Sequence, residues 1–377
     1  MLHCAETVKG GVATYLRELL PLQVAAYGAG AVRVLIPLSQ RAELPDCPGV
    51  VIKTFDDRGS RVRNAWTLAR SARRWVRASA PNVVHLHSTF AGAMVRPLLA
   101  VLQARPALVY CPHGWAFDRS MGSLARRLVV LVERCLAWLS EVIVCISEHE
   151  MRIALQRGLP AARLQLVRNG VAAKPAPGEG LEPDWVGSGV RLMFVGRFDH
   201  QKGLDVLLAA MRELETVAQC AVAGMPVLGD TSVRLPPSVL ALGWLSPGQL
   251  ETAYRSADAL VVPSRWEGFG LVAAEAMRAG LAVIASRAGG LPEIVADGQT
   301  GLLVEPGSSA ALAAAVRSVS RADLQQMGQR GRQRFEQLFT MNRVARELDA
   351  VYRRSILMRR GSVPLQMGNF DQPDTGR

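Results

Sequence analysis

The sequence predicts an α/β chain of two Rossmann-like, doubly wound domains that face each other across a cleft, and three observations carry that expectation. Short apolar runs of strand length alternate with helical patterns in both halves of the chain, which describes parallel sheets covered on both faces. The stretch 171–189 lacks periodicity and holds Pro175, Pro177, Pro183 and glycines at 178, 180, 187 and 189, so it reads as a linker. At 377 residues the chain is too long for one ordinary core, and it suits two domains of about 170 to 190 residues each. The expected division is an N-terminal domain over 1–172, a linker over 173–189, a C-terminal domain over 190–340, a terminal helix over 341–360 and a disordered tail over 361–377. The two halves share no evident sequence repeat.

Met1 to Ala5 reads as the end of a first strand, short enough to put Met1 in question as the natural start. Lys9-Gly10-Gly11-Val12 then opens a helix through Tyr15 to Leu20, a strand, glycine and helix arrangement that faces phosphate. The pattern is not G-x-G-x-x-G, which counts against a dinucleotide and hence against an NAD-dependent oxidoreductase. Further strands are expected at Val32 to Ile36, Val50 to Phe55, Val83 to Leu86, Leu108 to Cys111, Val142 to Ile146 and Leu164 to Val167. His85 and His87 end one of them and His113 follows another, at the carboxyl ends where open sheets bind ligands. Histidines so placed can be structural, can hold a metal or can do chemistry; the lack of a carboxylate cluster near them in sequence discounts metal.

The second half restarts with strands expected at Leu192 to Val195, Ala221 to Ala223, Ala259 to Val262, Val283 to Ala285 and Leu302 to Val304. Arg197 follows the first, and Lys202-Gly203 precedes a helix over Leu204 to Leu214, a cation pair able to neutralise a diphosphate. The stretch Val261 to Glu275 joins a buried strand to a turn containing Gly268 and Gly270 and to a helix start near Leu271. Its helix-entrance amides suit phosphate oxygens, and Glu267 and Glu275 could accept from vicinal hydroxyls. Two glutamates eight positions apart also occur by chance, and a helix-start glutamate can serve only the helix dipole. The chain from Ala310 to Arg360 is mostly helical by pattern, with Ser309 as N-cap, Phe335, Leu338 and Phe339 on one face and a break at Thr340-Met341-Asn342.

Apolar content of 49% and charged content of 20% describe a globular protein. The richest apolar stretch, Leu128 to Ile146, is interrupted by Glu133, Arg134 and Glu141 and is not a membrane span. No secretion signal is visible, so a cytoplasmic protein is expected. Cys4, Cys47, Cys111, Cys135, Cys145 and Cys220 show no C-x2-C pairing and read as reduced core residues. The net charge of +12 is concentrated in Arg58, Arg61, Arg63, Arg70, Arg73, Arg74 and Arg77 and again in Arg119, Arg126, Arg127 and Arg134, implying anionic partners. Neither cluster interleaves aromatics as nucleic-acid binders do. Trp66 and Trp75 among the first group, and Leu128, Val129 and Leu131 beside the second, suit helices resting on anionic lipid at the inner face of a membrane. A solvated basic face is the alternative.

Glu267 to Glu275 with its internal G-F-G-L resembles the E-x7-E signature of retaining glycosyltransferases of the GT-B fold, the large family-four group also called glycosyl transferases group 1. Ala288-Gly289-Gly290-Leu291-Pro292-Glu293-Ile294-Val295, Val195-Gly196-Arg197 and Lys202-Gly203 match further segments of that family in the right order. The resemblance implies transfer of a sugar, UDP- or GDP-linked, from a nucleotide-sugar donor in the second domain to a glycan or lipid-linked acceptor in the first. Gly11, Arg197, Lys202, Gly268, Phe269 and Gly270 would meet the donor diphosphate, Glu275 the ribose, and Leu245 after Gly243-Trp244 the base. His113 and Glu267 would be catalytic, His87 would lie on the acceptor side, and the terminal helix would cross back to the first domain. No metal or other cofactor is then required, the nucleotide-sugar being a co-substrate. A sugar-nucleotide epimerase of the same fold and a non-catalytic sugar-nucleotide-binding module are the alternative readings.

Overall fold

The computed structural model describes residues 1–118, 121–180, 182–225 and 235–361. Arg119 and the tail beyond Gly361, for which basicity and disorder are expected, lie outside them. Two compact units are formed, Met1–Val167 together with the chain from Ala345 onward, and Arg168–Val344.

The first unit contains β1 (Leu2–Ala5), α1 (Gly11–Tyr27), β2 (Val32–Pro37), β3 (Val50–Phe55), α2 (Arg61–Ser79), β4 (Val83–His87), α3 (Thr89–Ala100), β5 (Ala107–Cys111), α4 (Ser123–Ala137), β6 (Val142–Cys145), α5 (Glu148–Gln156) and β7 (Leu164–Leu166). Its seven strands are all parallel in the order β3-β2-β1-β4-β5-β6-β7. Inner strands such as β4 and β5 are buried along their whole length because helices cover both faces, which is why they read as unbroken apolar runs. Serine N-caps start two of the helices: Ser60 accepts from the Arg63 amide and Ser147 from that of Glu150.

Helix α2 turns Ala65, Leu68, Ala69, Ala72 and Val76 inward at helical spacing, and Trp75 lies in the same core at 7% exposure. This corrects the expectation that Trp75 and Trp66 share a lipid-facing surface: only Trp66 is exposed. Helix α4 is held by its inner face, where Glu133 receives Arg96 Nη2 at 2.7 Å and the Tyr110 hydroxyl at 2.9 Å, all three side chains being buried. Its outer face leaves Leu124, Leu128, Leu131 and Cys135 exposed at spacings of one helical turn, with Trp138 just beyond. Cys135 is therefore not a core residue, and Cys47 is only partly buried; Cys4, Cys111, Cys145 and Cys220 are core.

The second unit contains β8 (Val190–Val195), α6 (Leu204–Glu213), β9 (Ala218–Ala223), β10 (Val239–Gly243), α7 (Pro247–Ser256), β11 (Ala259–Val262), α8 (Leu271–Ala279), β12 (Ala282–Ser286), α9 (Leu291–Ile294), β13 (Gly301–Val304), α10 (Ser309–Arg317) and α11 (Arg321–Leu338), and α12 (Met341–Arg359) begins in it. Its six parallel strands run β10-β9-β8-β11-β12-β13. Strand β10 is absent from the sequence-based expectation although Val239 to Leu242 are all apolar; it stands at the sheet edge with only Val239 buried. Ser308, not Ser309, caps α10, accepting from the Ala311 amide. Val171 bridges to Thr340, its amide donating to Phe339 O at 2.9 Å and its carbonyl accepting from the Met341 amide at 2.8 Å.

Each sheet has one place where the chain changes direction of growth, between β1 and β4 in the first and between β8 and β11 in the second. Carboxyl ends of strands at such a point splay their following loops apart and leave a crevice for a ligand. Gly11, His87 and His113 follow or end β1, β4 and β5, and Arg197, Lys202 and Glu267 follow β8 and β11.

Candidate active site

In the second unit the loops after β8 and β11 are tied into one surface. Arg265 forks onto Asp205 at 2.8 and 2.6 Å and also donates to His200 O at 2.9 Å. That fork holds the Asp205 carboxyl below its usual range. Gln201 adds a bond from its Nε2 to Trp266 O at 3.2 Å. Gly203 starts α6 in the left-handed region at φ 69°, and a Cβ there would sit 2.1 Å from Pro263 O, so only glycine lets the start of α6 approach the end of β11 this closely.

On this surface Lys202 Nζ lies 2.5 Å from Glu267 Oε2, with 18% and 12% of the two side chains exposed. The buried Ser264 hydroxyl also points to Glu267 Oε2, at 3.4 Å. Arg197 stands beside them more openly, its Nη2 3.1 Å from Asp199 and 3.2 Å from Gln201 Oε1. Helix α8 is preceded by Gly270, which has no side chain to cap its first amides, and an uncapped helix start favours anionic oxygens.

The loop after β12 completes the support. Gly289, at φ 56°, places its α-carbon so close to Glu267 that a Cβ would lie 1.7 Å from Glu267 O, and the Gly290 amide donates to that same carbonyl at 3.1 Å. Thus the Ala288–Val295 segment fixes the backbone of Glu267. Phe269 is buried at 2% exposure with its ring edge-on to Phe339 at 5.8 Å, so its side chain belongs to the core and only its backbone can face a diphosphate. Glu275, one turn into α8, is partly buried and accepts from the Tyr254 hydroxyl at 3.2 Å. Burial, reinforced by Glu275, holds the Tyr254 hydroxyl protonated well above its ordinary range. Leu245 is half-buried and lies past the edge strand β10, beside the exposed Trp244.

In the first unit Gly11 is the exposed first residue of α1, preceded by Gly10 with no side-chain cap, so this helix too presents open amides. Strand register sets His3 beside His85, and the two-residue period of β4 turns His85 and His87 to one face. His3 Nε2 lies 2.8 Å from Gln23 Oε1, His3 Nδ1 2.9 Å from His87 Nε2, and His87 Nδ1 2.9 Å from His113 Nε2. Desolvation pushes the pKa of His3 and of His113 down to about 4 and those of His85 and His87 well below the ordinary value. His113 is only partly exposed and takes a positive φ of 51°, with the buried Tyr15 ring edge-on at 5.0 Å.

These positions correct one expectation. His87 is fully buried and both of its ring nitrogens are engaged, so it has no atom to offer an acceptor. The structure brings Arg197, Lys202, Glu267 and Gly268 to Gly270 together, and in the other unit joins His87 to His113. His3, Gln23 and Tyr15 were not visible as site residues from sequence. The β1 register sets His3 beside His85, and the packing of α1 brings Gln23 and Tyr15 to the histidines, neither of which a local sequence pattern supplies.

Residues 10–170 match the family described as Glycosyl transferase 4-like domain, and residues 186–334 match the family described as Glycosyl transferases group 1. A protein of Klebsiella pneumoniae, described as an uncharacterized 41.2 kDa protein in the cps region, is 31% identical over 81% of this chain and 85% of its own. Sucrose-phosphate synthase from Thermosynechococcus elongatus superposes with a TM-score of 0.78 at 23% identity, over 93% of this chain and 97% of that one. Anabaena HepE in complex with UDP-glucose superposes with a TM-score of 0.75 at 17% identity, over 93% and 98%. At those identities the superpositions establish the fold, two Rossmann-like domains of the GT-B type.

Proposed function

This chain belongs to the glycosyl transferases group 1 family and is a glycosyltransferase, and from that premise we propose that it moves a sugar from a UDP- or GDP-linked donor to a glycan or lipid-linked acceptor in cell-surface polysaccharide or glycolipid synthesis, with retention at the anomeric carbon and without a metal. The observation that carries this reading is the Lys202 and Glu267 pair at the switch point of the second sheet, with Arg197 and the open amides of α8 on the same surface. As the sugar to phosphate bond breaks, charge gathers on the leaving diphosphate. Arg197, Lys202 and the amides following Gly268 stabilise it electrostatically, without the reorganisation that water would need. Glu267 receives hydroxyls of the transferred sugar and faces the positive charge that develops at its ring. Glu275 accepts from the ribose, and His113 contacts the sugar. The UDP-glucose held by HepE supports a UDP-linked hexose, and the position of the Klebsiella relative in a cps region supports a polysaccharide.

The acceptor is met at an anionic membrane in this reading, on α4. Its exposed stripe of Leu124, Leu128 and Leu131, with Trp138, borders a groove of about 430 Å3 lined by Arg126, Arg127, Arg134 and Arg157. A row of apolar side chains beside guanidinium groups matches acyl chains beneath anionic headgroups. No helix among the described residues is long and apolar enough to cross a membrane.

Incubation with labelled sugar nucleotides tests the reaction. Transfer, or slow hydrolysis when no acceptor is present, is the expected result. A changed sugar still on its nucleotide would identify an epimerase, and binding without turnover a non-catalytic module.

A further inference from the structure

The buried histidines of the first unit form a chain with a direction. A neutral imidazole has one N–H and one lone pair, so an imidazole bonded at both nitrogens must donate at one and accept at the other. His3 and His87 are each bonded at both. The direction is therefore set by whatever terminates the chain, which is Gln23. Its Oε1 lies 2.8 Å from His3 Nε2, and its Nε2 donates to the Tyr352 hydroxyl at 3.3 Å, which in turn lies 2.8 Å from His85 Nδ1. With the Gln23 oxygen toward it, His3 must donate from Nε2 and accept at Nδ1. His87 must then donate from Nε2 and accept at Nδ1, and His113 must donate from Nε2.

We propose that Gln23, His3 and His87 act as a positioning relay that fixes the tautomer of His113, so that its Nδ1 presents a bare lone pair to a hydroxyl of the bound sugar. This rests on the reading that His113 contacts the transferred sugar. His113 Nδ1 has no hydrogen-bond partner among the described residues. A relay of this kind works only while every ring is neutral, and burial of the set keeps protons off it at neutral pH. Nitrogens of His3, His85 and His87 also lie within 4.8 Å of one another, close enough for a metal ion. An ion there would have to break the 2.9 Å bond between His3 Nδ1 and His87 Nε2, the central link of the relay, and would bring charge into a fully buried site.

The test combines a spectrum with kinetics. In the intact protein at neutral pH, 15N shifts of the histidine rings should show His113 and His87 protonated at Nε2 and bare at Nδ1. This readout needs no donor, so it stands apart from the fate of the functional reading. His3→Leu, which cannot accept from His87, should lower kcat by about 10- to 100-fold, the usual cost of losing a partner that orients a histidine, while the donor KM changes little. His3→Asn, whose Oδ1 can accept near the position of Nδ1, should recover most of that loss and the wild-type tautomer of His113. The opposite tautomer, a charged His113, a stoichiometric metal in the purified protein, or equal kcat in His3→Leu and wild type would each overturn the relay. If His3→Leu does not fold, the wild-type spectrum and His3→Asn still decide.

Discussion

Lys202 Nζ and Glu267 Oε2 are 2.5 Å apart although they stand 65 positions apart in the chain, one after β8 and the other after β11. Both side chains are largely enclosed, and the removal of either partner leaves the other desolvated and unmatched. In the proposed site the pair makes each residue a condition for the other: Lys202 would reach a diphosphate from a position that Glu267 holds.

Lys202→Ala and Arg197→Ala should each weaken UDP or GDP by about 10- to 100-fold, the worth of one charge-assisted hydrogen bond, and leave uridine or guanosine nearly unaffected. Calorimetry with the four ligands measures this. If both variants bind the diphosphates as tightly as the parent, the cations are structural. Turnover should also survive a chelator, and loss of activity that a divalent ion restores would contradict the metal-free mechanism.

Glu275 accepts from Tyr254 and is proposed to accept from the ribose, and two substitutions separate the two roles. Glu275→Ala leaves the buried Tyr254 hydroxyl without its acceptor and should cost about 1 to 3 kcal/mol of stability as well as nucleotide affinity. Glu275→Gln keeps an acceptor for Tyr254 and should keep stability, while nucleotide binding still falls. Urea unfolding beside calorimetry reads both; unchanged affinity in both variants removes Glu275 from the ribose site.

Stability should fall in mild acid because of His3. Its pKa is depressed in the fold, from 6.5 to about 4, so the unfolded chain takes up a proton at a pH where the folded one does not. The stabilisation present above pH 6.5 is therefore lost progressively as the pH falls toward 4. Urea midpoints measured between about pH 7 and pH 5 should drop for the wild type and drop less for His3→Asn. An identical slope in the two proteins would mean that His3 is not the titrating group.

Flotation with anionic vesicles tests α4. The protein should bind at low salt and be released as salt rises, since exposed charges are screened over about 8 to 10 Å near physiological ionic strength. Leu128→Ser with Leu131→Ser, or Arg127→Ala with Arg134→Ala, should each abolish flotation, and Arg70→Ala with Arg74→Ala on α2 should not. Retained binding in both α4 variants would return the stripe to the status of a solvated surface.

What the sequence makes legible follows from burial. Inner strands such as β5 and β11 announce themselves as apolar runs because both faces are covered, and the glycines and charges after β8 and β11 stand out against that background. Edge strand β10 is apolar too, but four such residues before Gly243 do not by themselves tell a strand from other short apolar segments. Trp75 and Trp66 look alike among arginines, and only the inward stripe of α2 distinguishes core from surface. Gln23 and His3 are invisible as partners because their link depends on which face of β1 lies under α1, a fact of register and packing that no local pattern encodes.

Gly289 bears on how this protein could be altered. Because its backbone rests against the carbonyl of Glu267, the loop 288–295 and the turn 263–270 are halves of one interlocked part. A graft meant to change donor preference would have to transplant both together. Replacing either alone would put foreign backbone where less than an atom's width of clearance exists, and the lost activity would then report a misfit and say nothing about the sugar.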